Sequence, residues 1–541
     1  MLSPTLDLDV PAPLPPALAS ALSAHFPDSA PGAALGVIHA GRCSAGAAGL
    51  ASLSPRIAFT PQTQFRACSI TKQLVALLLL QLAAEGRLSL DDSPGGYLPS
   101  LRALDPRLRL WHLAQNRSGL PDYWCAAMLT GAQPDSRFSE ADGRDLITRL
   151  GRQMFPPGAG TRYNNGNFRI VQWVLEAVTG QSLSTLMQDR IWGPLGMQHS
   201  HLGEDTAQPL ADGTRGYRAL PPADSPAWEE EITRIVWSGD AGLVTTLGDL
   251  LRWEAALLGL GPVRLPQAEQ LAEARPRPDG STASYAFGLN TWRAGGRRMH
   301  WHSGALRGFR MMHLRFPDEQ ASVVLLMNRT QNPMPLALAF AAVLGLQPAW
   351  DRPQPATAAG TCWPQRAHYC PALDLVAETA GSAASPTINL GMDAQPLLWI
   401  GPDRLASADG FLQVTQTADG LDITSRSLGW HGHFAALPDE DIRPQLGGRQ
   451  FVSPLLGSRV AFRADGQALV LLGPQGRSLT YAVRPLGRGL VAFDCPRALD
   501  EPPPGRYHLR LDGERLQIAC LLAQGRDLCF QAAEADASIT V

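Results

Sequence analysis

The sequence predicts an α+β protein in which a helix-containing domain is followed by two small antiparallel β-barrels. Three observations lead to this prediction. An apolar stretch near residue 75 has the length of a buried helix, a segment rich in Pro and Ala covers residues 348–364, and short alternating runs separated by tight turns fill the rest of the chain. The 541 residues exceed what one hydrophobic core holds, so several domains are expected.

The composition excludes several classes of protein. Hydrophobic residues make up 45% of the chain, charged residues make up 18%, and the formal net charge is −3, which is typical neither of disorder nor of a nucleic-acid-binding protein. The longest strongly apolar stretch, Leu74–Ala84, is shorter than the roughly 20 residues of a membrane-spanning helix, and the N-terminal segment shows no secretory signal pattern. The eight cysteines contain no C-x-x-C pair, which predicts reduced thiols. We therefore expect a cytoplasmic protein that binds neither nucleic acid nor membranes.

The buried helix carries the first candidate chemistry. Residues 69–85 are apolar nearly all round, contain no Gly or Pro and end at Gly86, which predicts a central helix. Ser69 and Lys72 lie three residues apart and therefore share one helical face. Lys72 is the only lysine among 46 basic residues, and a lysine, unlike an arginine, can lose its proton where its surroundings lower its pKa. The pair indicates a serine nucleophile beside a base, and the alternative is a surface lysine without function.

A second motif follows a Pro-Gly turn at residues 156–158. Tyr163 and Asn165 lie on the loop after this turn, where both side chains can point into a cleft. The apolar residues between 170 and 178 then predict an amphipathic helix that ends at 179–180. Because Asn favours turns in any case, the alternative is an ordinary loop with a packed tyrosine.

A third motif, His302-Ser303-Gly304, lies in a strand-like run over residues 299–310. The glycine would allow a substrate backbone to approach closely. A lone histidine is more often a packed side chain than a functional one, so His302 and Gly304 carry little weight without the other two motifs.

Together these motifs resemble those of the penicillin-recognising serine hydrolases, a group that includes class C β-lactamases, D-alanyl-D-alanine carboxypeptidases, related esterases and D-aminopeptidases. Ser-x-x-Lys, Tyr-x-Asn and His-x-Gly occur in the family's order, and the similarity covers about residues 30–340. The resemblance implies a β-lactamase-like domain at residues 1–345, with an antiparallel sheet flanked by helices. Flanking segments agree with it, namely Gln64–Arg66, Glu85–Leu88, Asp91, Asp92, Ser118–Tyr123, Gly193–Met197, Gly242–Thr246, Asp249 and Trp253.

Two positions depart from the family pattern. Asn116 and Arg117 stand where many relatives have His-Thr, and His302 stands where β-lactamases have Lys. A mostly neutral imidazole holds a substrate carboxylate less well than an ammonium group does. This replacement favours an amide or ester over a β-lactam or a peptide with a free C-terminus, and His302 would hydrogen-bond across the cleft toward Tyr163.

The resemblance implies acyl transfer through a covalent intermediate. Ser69 is the expected nucleophile, and Lys72 and Tyr163 would share the role of base. Asn165 would orient Lys72 and the substrate amide, and the backbone N–H groups of Ser69 and Ala305 would form the oxyanion hole. Neither a cofactor nor a metal is expected.

Beyond a linker at residues 346–363, the chain predicts one barrel at 364–440 and another at 441–541. This arrangement resembles the bacterial D-stereospecific aminopeptidases, in which a loop of the last barrel supplies an acidic residue for the free α-amine of the substrate. The segment from Ala492 to Pro496, continuing to Pro502, has the corresponding position, and Asp494 is the candidate. The alternative is an ordinary solvated aspartate.

The predicted function is that of a serine aminopeptidase that releases an N-terminal D-amino acid such as D-Ala, or Gly, from a small peptide, amide or ester. The D preference and a homodimer follow from the resemblance alone. An esterase or a D-Ala-D-Ala carboxypeptidase would use the same chemistry, and a catalytically idle peptide-binding module is an alternative of another class. His300 with His302, and His431 with His433, each place two imidazoles on one strand face, but no third ligand accompanies them.

Overall fold

The chain divides into two compact units in the computed structural model. The first comprises residues 1–102, 106–117 and 167–350, and the second comprises residues 103–105, 118–166 and 351–541. The described residues are 6, 8–131, 136–151, 154–220, 227–278, 280, 283–294, 297–346, 353–356, 362–391, 394–426, 429–474, 478–495, 505–519 and 528–534. Most of the predicted linker, and Pro496 to Pro502 of the predicted active-site loop, lie outside them.

The first unit is built on a seven-stranded sheet in the order β1-β3-β2-β14-β13-β12-β11, in which only β1 and β3 are parallel. Strand β14 is buried along its whole length, as expected of a central strand covered on both faces. Its strands, and those of three smaller sheets (β6-β10-β7, β4-β5 and β8-β9), are β1 (Ala12–Pro13), β2 (Ala33–His39), β3 (Arg42–Ala48), β4 (Leu50–Leu53), β5 (Arg56–Ala58), β6 (Phe65–Cys68), β7 (His201–Leu202), β8 (Gly216–Leu220), β9 (Ala227–Glu231), β10 (Leu243–Thr245), β11 (Asn290–Ala294), β12 (Arg297–Leu306), β13 (Phe309–Phe316) and β14 (Ala321–Met327).

The predicted central helix is confirmed, although it begins two residues later than expected, at Thr71. The preceding residues form a turn in which Lys72 N donates to Ser69 O at 3.1 Å. The α-helices are α1 (Pro16–His25), α2 (Thr71–Ala84), α3 (Pro94–Tyr97), α4 (Leu110–Ala114), α5 (Tyr123–Ala127), α6 (Glu140–Arg149), α7 (Asn165–Thr179), α8 (Leu183–Met187), α9 (Gly193–Leu195), α10 (Leu247–Leu257), α11 (Met334–Val343) and α12 (Arg443–Leu446). Short 3₁₀ helices cover Pro99–Leu101, Met128–Thr130 and Ala268–Ala272, and a π-helix covers Gln188–Trp192.

The second unit contains the two predicted β-barrels. Strands β15–β22 form a closed antiparallel barrel, and β23–β31 form a nearly closed nine-stranded sheet in the order β26-β25-β24-β23-β31-β30-β29-β28-β27. The strands are β15 (Ala367–Cys370), β16 (Leu375–Ser382), β17 (Ser385–Asn389), β18 (Ala394–Trp399), β19 (Arg404–Ser407), β20 (Leu412–Gln416), β21 (Gly420–Ser425), β22 (Trp430–Ala436), β23 (Gln450–Ser453), β24 (Ser458–Phe462), β25 (Ala468–Leu472), β26 (Leu479–Ala482), β27 (Arg484–Gly487), β28 (Leu490–Cys495), β29 (Gly505–Asp512), β30 (Arg515–Ile518) and β31 (Cys529–Ala533).

Residues 118–166 pack against the nine-stranded sheet. The hydroxyl of Tyr507 on β29 donates to Cys125 O of α5 at 2.8 Å. A Cβ atom at Gly473 would lie 2.0 Å from Thr130 O, so this close approach requires glycine. None of the helices in the described residues combines the length and hydropathy needed to cross a bilayer.

Candidate active site

Ser69 and Lys72 lie together at the start of α2. Lys72 Nζ is 3.1 Å from Ser69 Oγ, and the Lys72 side chain is completely buried. This distance is within hydrogen-bonding range, so a neutral amine at this position could accept the hydroxyl proton of the serine. The spacing of three residues predicted this contact.

The turn that presents Ser69 is held by a left-handed residue and a threonine. Cys68, at the end of β6, has a φ of 51°, a region that costs a non-glycine residue backbone strain. The hydroxyl of Thr71 donates to Cys68 O at 2.6 Å and accepts from Leu243 N of β10 at 3.0 Å. These two hydrogen bonds connect the turn to strand β10 of the small sheet and fix the position of Ser69, the residue that follows strand β6.

A backbone carbonyl provides the second partner of Lys72. Lys72 Nζ donates to Asp240 O at 2.5 Å, and the ring centroid of Phe168 lies 5.7 Å from the same nitrogen. Because one N–H of the amine donates to this carbonyl, the other positions on the Lys72 nitrogen have a fixed direction. This partner was not predicted, because it is a main-chain atom.

The segment that carries this carbonyl is fastened by a buried ion pair. The Asp240 carboxylate lies 3.6 Å from Arg169 Nη1 of α7, and both side chains are completely buried. Asp240 Oδ1 also accepts from Ser238 N at 3.0 Å, and Gln172 of α7 accepts from Gly239 N at 2.9 Å. Helix α7 therefore positions the loop that holds Lys72.

His302 lies on β12 and is almost fully buried. Its Nδ1 is 2.6 Å from Ser303 O, which can only accept, so Nδ1 carries the proton and Nε2 accepts from the hydroxyl of Tyr285 at 3.1 Å. Burial lowers the pKa of His302 to about 3, so its ring is neutral near pH 7. Tyr285 lies 17 residues before His302 and belongs to none of the three motifs, so no sequence pattern indicated it.

Gly304 lies in close contact with strand β6. A Cβ atom there would lie 2.4 Å from Ala67 O of β6 and 2.7 Å from Met311 Cγ. The absent side chain thus admits the protein's own backbone, which brings β12 against the strand that leads to Ser69. Ala305, the predicted oxyanion donor, follows on β12 and pairs with Arg310 of β13.

A buried polar network lies behind Lys72. Gln73 Nε2 is 2.7 Å from His313 Nε2, and His313 Nδ1 is 3.2 Å from Glu254 Oε1. Arg315 donates twice to Glu254, at 2.7 and 3.0 Å. Although burial opposes ionisation, the charges of Arg315 and His313 hold the pKa of Glu254 far below its usual range, so this network anchors α2 to β13.

Tyr163 and Asn165 belong to the second unit. Tyr163 is half-buried in the segment before α7, and Asn165 is the first residue of that helix rather than a loop residue. The Nδ2 atom of Asn165 donates to Asp122 Oδ2 at 2.8 Å, and its backbone N donates to the same oxygen at 3.2 Å. Asp122 caps α5 through Trp124 N, so one carboxylate orders both the predicted Tyr-x-Asn motif and the start of α5.

Asp494 lies on β28, where it forms an ion pair across to β29. Arg506 donates to the two carboxylate oxygens of Asp494 at 2.6 and 3.1 Å. Arg506 also contacts Glu378 Oε1 at 3.2 Å. The predicted amine acceptor therefore already holds a cation, and about half of its side chain is exposed.

The predicted histidine pairs have other partners. His433 Nδ1 lies 2.8 Å from Asp422 Oδ1, and His431 Nδ1 lies 2.9 Å from the Thr424 hydroxyl. Within the ranges that the structure describes, no three His, Cys, Asp or Glu side chains form a group that could hold a metal ion.

Known proteins resemble the chain in sequence over nearly its whole length. The sequence matches the family model described as Beta-lactamase over residues 20–347. It is 31% identical to a D-aminopeptidase of Gluconobacter oxydans (strain 621H) over 531 residues, covering 95% of this chain and 98% of the relative. A D-aminopeptidase of Brucella melitensis biotype 1 is 30% identical over 518 residues, which cover 92% of this chain and 95% of the relative.

Solved structures share the fold. The octameric penicillin-binding protein homologue from Pyrococcus abyssi has a TM-score of 0.55 at 17% identity, covering 86% of this chain and 98% of its own. The D-amino acid amidase from Ochrobactrum anthropi SV3 complexed with D-phenylalanine has a TM-score of 0.52 at 21% identity. The match covers 61% of this chain and 97% of the amidase chain. The resemblance inferred from three short motifs is thereby confirmed, and so is the fold class.

Proposed function

This chain belongs to the beta-lactamase family of serine hydrolases, and on that basis we propose that it is a D-aminopeptidase. It releases an N-terminal D-amino acid such as D-Ala, or Gly, from a small peptide, amide or ester. The observation that carries the proposal is the 3.1 Å contact between Ser69 Oγ and the buried amine of Lys72. The D-aminopeptidase of Gluconobacter oxydans supports this assignment over an esterase, because the similarity extends through both barrels.

In this reaction Ser69 Oγ attacks the carbonyl carbon of the scissile amide, and the hydroxyl proton passes to Lys72 Nζ. Tyr163 shares this proton with Lys72 and returns it to the leaving amine, so the C–N bond breaks and an ester to Ser69 remains. Water then hydrolyses the ester by the same route. The backbone N–H groups of Ser69 and Ala305 would stabilise the negatively charged oxygen, and Asn165 would orient the substrate amide.

Recognition of the free α-amine is assigned to Asp494. Its carboxylate is shared with Arg506, so a substrate ammonium group would have to compete with or displace part of that ion pair. We also propose that the enzyme acts in the cytoplasm, as expected from the N-terminal sequence, and that it forms a homodimer, which rests on the family resemblance. Sedimentation velocity of the purified protein tests the dimer directly.

The experiment that tests the function compares hydrolysis of D-alanine and L-alanine p-nitroanilides. We expect hydrolysis of the D substrate, and a loss of about 10³-fold or more in kcat for Ser69→Ala and for Lys72→Arg, because an arginine cannot act as a base. Ser89→Ala, an exposed serine shortly after α2, is the control and keeps wild-type activity. Wild-type kcat in Lys72→Arg would refute the mechanism, and equal rates on both enantiomers would refute the stereospecificity.

A further inference from the structure

The second unit contains a cavity of about 650 Å³ that the proposed hydrolysis does not use. We call it the barrel cavity. Its wall on one side is the segment from Met154 to Arg162, and strands of both barrels supply the other side, including Tyr369, Trp430, Arg510 and Arg515. The volume is in the range of small-molecule sites, which is about 300–1,000 Å³.

Positive charge predominates around the barrel cavity. Three arginines line it, Arg162, Arg510 and Arg515, against two carboxylates, Asp374 and Asp512. Neither carboxylate lies within hydrogen-bonding distance of Arg510, whose Nε is 3.9 Å from Asp374 Oδ1 and whose Nη1 is 3.8 Å from Asp512 Oδ2. Arg510 instead donates to the side chain of Gln517, which also lines the cavity, and the Tyr369 hydroxyl donates to Asp374 Oδ1 at 2.6 Å. The balance of charge favours an anionic ligand.

Two of the lining residues carry a buried nitrogen donor for which the described residues provide no acceptor. Within the described residues, the indole Nε1 of Trp430 and the guanidinium Nε of Arg510 have no hydrogen-bond partner, and Trp430 is 8% exposed. A buried donor left unsatisfied costs about 1–3 kcal/mol, so an acceptor in the cavity would be favoured. Burial lowers the pKa of Arg162 to about 10, because desolvation disfavours its charged form, and a bound anion would offset that effect.

One part of the wall is apolar. Phe155, Leu373 and the ring of Trp430 line the cavity beside the arginines. A fully charged ligand such as inorganic phosphate would leave these surfaces uncovered, whereas a molecule with one anionic end and one hydrophobic end would match both parts of the wall.

We propose that the barrel cavity binds a small carboxylate that carries an aromatic or branched apolar group. Arg510 and Arg515 bind the carboxylate, and the apolar group packs against Trp430 and Phe155. The lining of the barrel cavity includes none of the residues assigned to catalysis. It is nevertheless adjacent in the chain, since Arg162 directly precedes Tyr163.

The test is isothermal titration calorimetry of the whole protein with 3-phenylpropionate as the probe. We expect saturable binding below about 10 mM, and binding of the neutral isostere 3-phenylpropionamide that is weaker by about tenfold or more. Arg510→Gln should weaken binding of the carboxylate by about tenfold, and Arg515→Gln, at an exposed position, provides a second variant if the first fails to fold.

Arg449→Gln is the matched control. Arg449 lies at the start of the same nine-stranded sheet, and its side chain is 28% exposed, as is that of Arg510. It pairs with Glu514, and neither residue is part of the cavity lining. Binding should be unchanged in this variant. The proposal is overturned if 3-phenylpropionate does not saturate, if the amide binds equally well, or if Arg510→Gln and Arg515→Gln bind as wild type does. A loss in Arg449→Gln equal to that in the cavity variants would also overturn it.

Discussion

The ion pair between Arg169 and Asp240 provides the sharpest test of how Lys72 is positioned. Asp240→Asn keeps the size and the backbone carbonyl of the residue but removes the charge that faces Arg169. Both side chains are completely buried and their closest atoms are 3.6 Å apart, so the substitution removes a carboxylate charge that faces a guanidinium inside the protein. Breaking a buried pair in this way costs about 3–5 kcal/mol, so the free energy of unfolding should fall by that amount.

The activity of Asp240→Asn should fall as well, because the backbone carbonyl of residue 240, rather than its side chain, contacts Lys72. Asp240 O accepts from Lys72 Nζ at 2.5 Å, so a loop released from Arg169 moves the acceptor that orients the amine. A misplacement of about 1 Å near the reacting atoms costs about 100-fold, and we expect a loss of this size in kcat with little change in KM. Urea denaturation and hydrolysis of D-alanine p-nitroanilide measure the two effects.

An exposed ion pair in the same unit provides the control. Arg298 and Asp318 approach more closely, at 2.7 Å, but about a third or more of each side chain is exposed, so Asp318→Asn should cost only about 0–1 kcal/mol and leave kcat unchanged. If Asp240→Asn behaved like this control in both assays, the argument that α7 positions Lys72 through Asp240 would be refuted.

Three further predictions concern single side chains. Tyr285→Phe removes the hydroxyl that donates to His302 Nε2, so kcat/KM should fall by about tenfold with little change in Tm, and an unchanged kcat/KM would contradict the role of this bond. Burial lowers the pKa of His302 to about 3 and that of His368 to about 4, so both side chains bind protons more readily in the unfolded state than in the folded state. The free energy of unfolding should therefore be highest above about pH 6.5, the ordinary pKa of histidine, and should fall as the pH is lowered below that value. Between pH 6.5 and 5 the loss is about 2 kcal/mol per histidine, and urea denaturation showing equal stability at the two pH values would contradict this. Asp494→Ala should raise KM for D-alanine p-nitroanilide but spare p-nitrophenyl butyrate, and an equal loss on both would identify Asp494 as structural.

The features that sequence predicted are those set by local spacing. Ser69 and Lys72 are three residues apart, so any helical turn brings them together, and the apolar run after them defines a buried helix wherever it packs. The alternation of short strands and turns after residue 364 predicted the barrels for the same reason, because the period of a strand is visible within five residues.

The features that sequence missed depend on contacts between distant segments. Asp240 is 168 residues from Lys72 and acts through a carbonyl that every residue type possesses, so its identity gives no signal. The close approach of Gly304 to Ala67 was likewise not predicted, because these two residues are far apart in the sequence. Both contacts arise from how the strands pack, which a pattern of residue types does not contain.

The burial of Lys72 has a practical consequence for handling the protein. Lys72 is the only lysine and has no exposed surface. Reagents that modify amines, such as succinimidyl esters, should therefore react with the terminal α-amine of the folded protein but not with Lys72. Mass spectrometry after such labelling would therefore show a second adduct only in molecules that have opened around α2. Lys72, which is proposed to activate the nucleophile, stays unmodified as long as it is buried. The extent of its labelling therefore measures whether the first unit is folded.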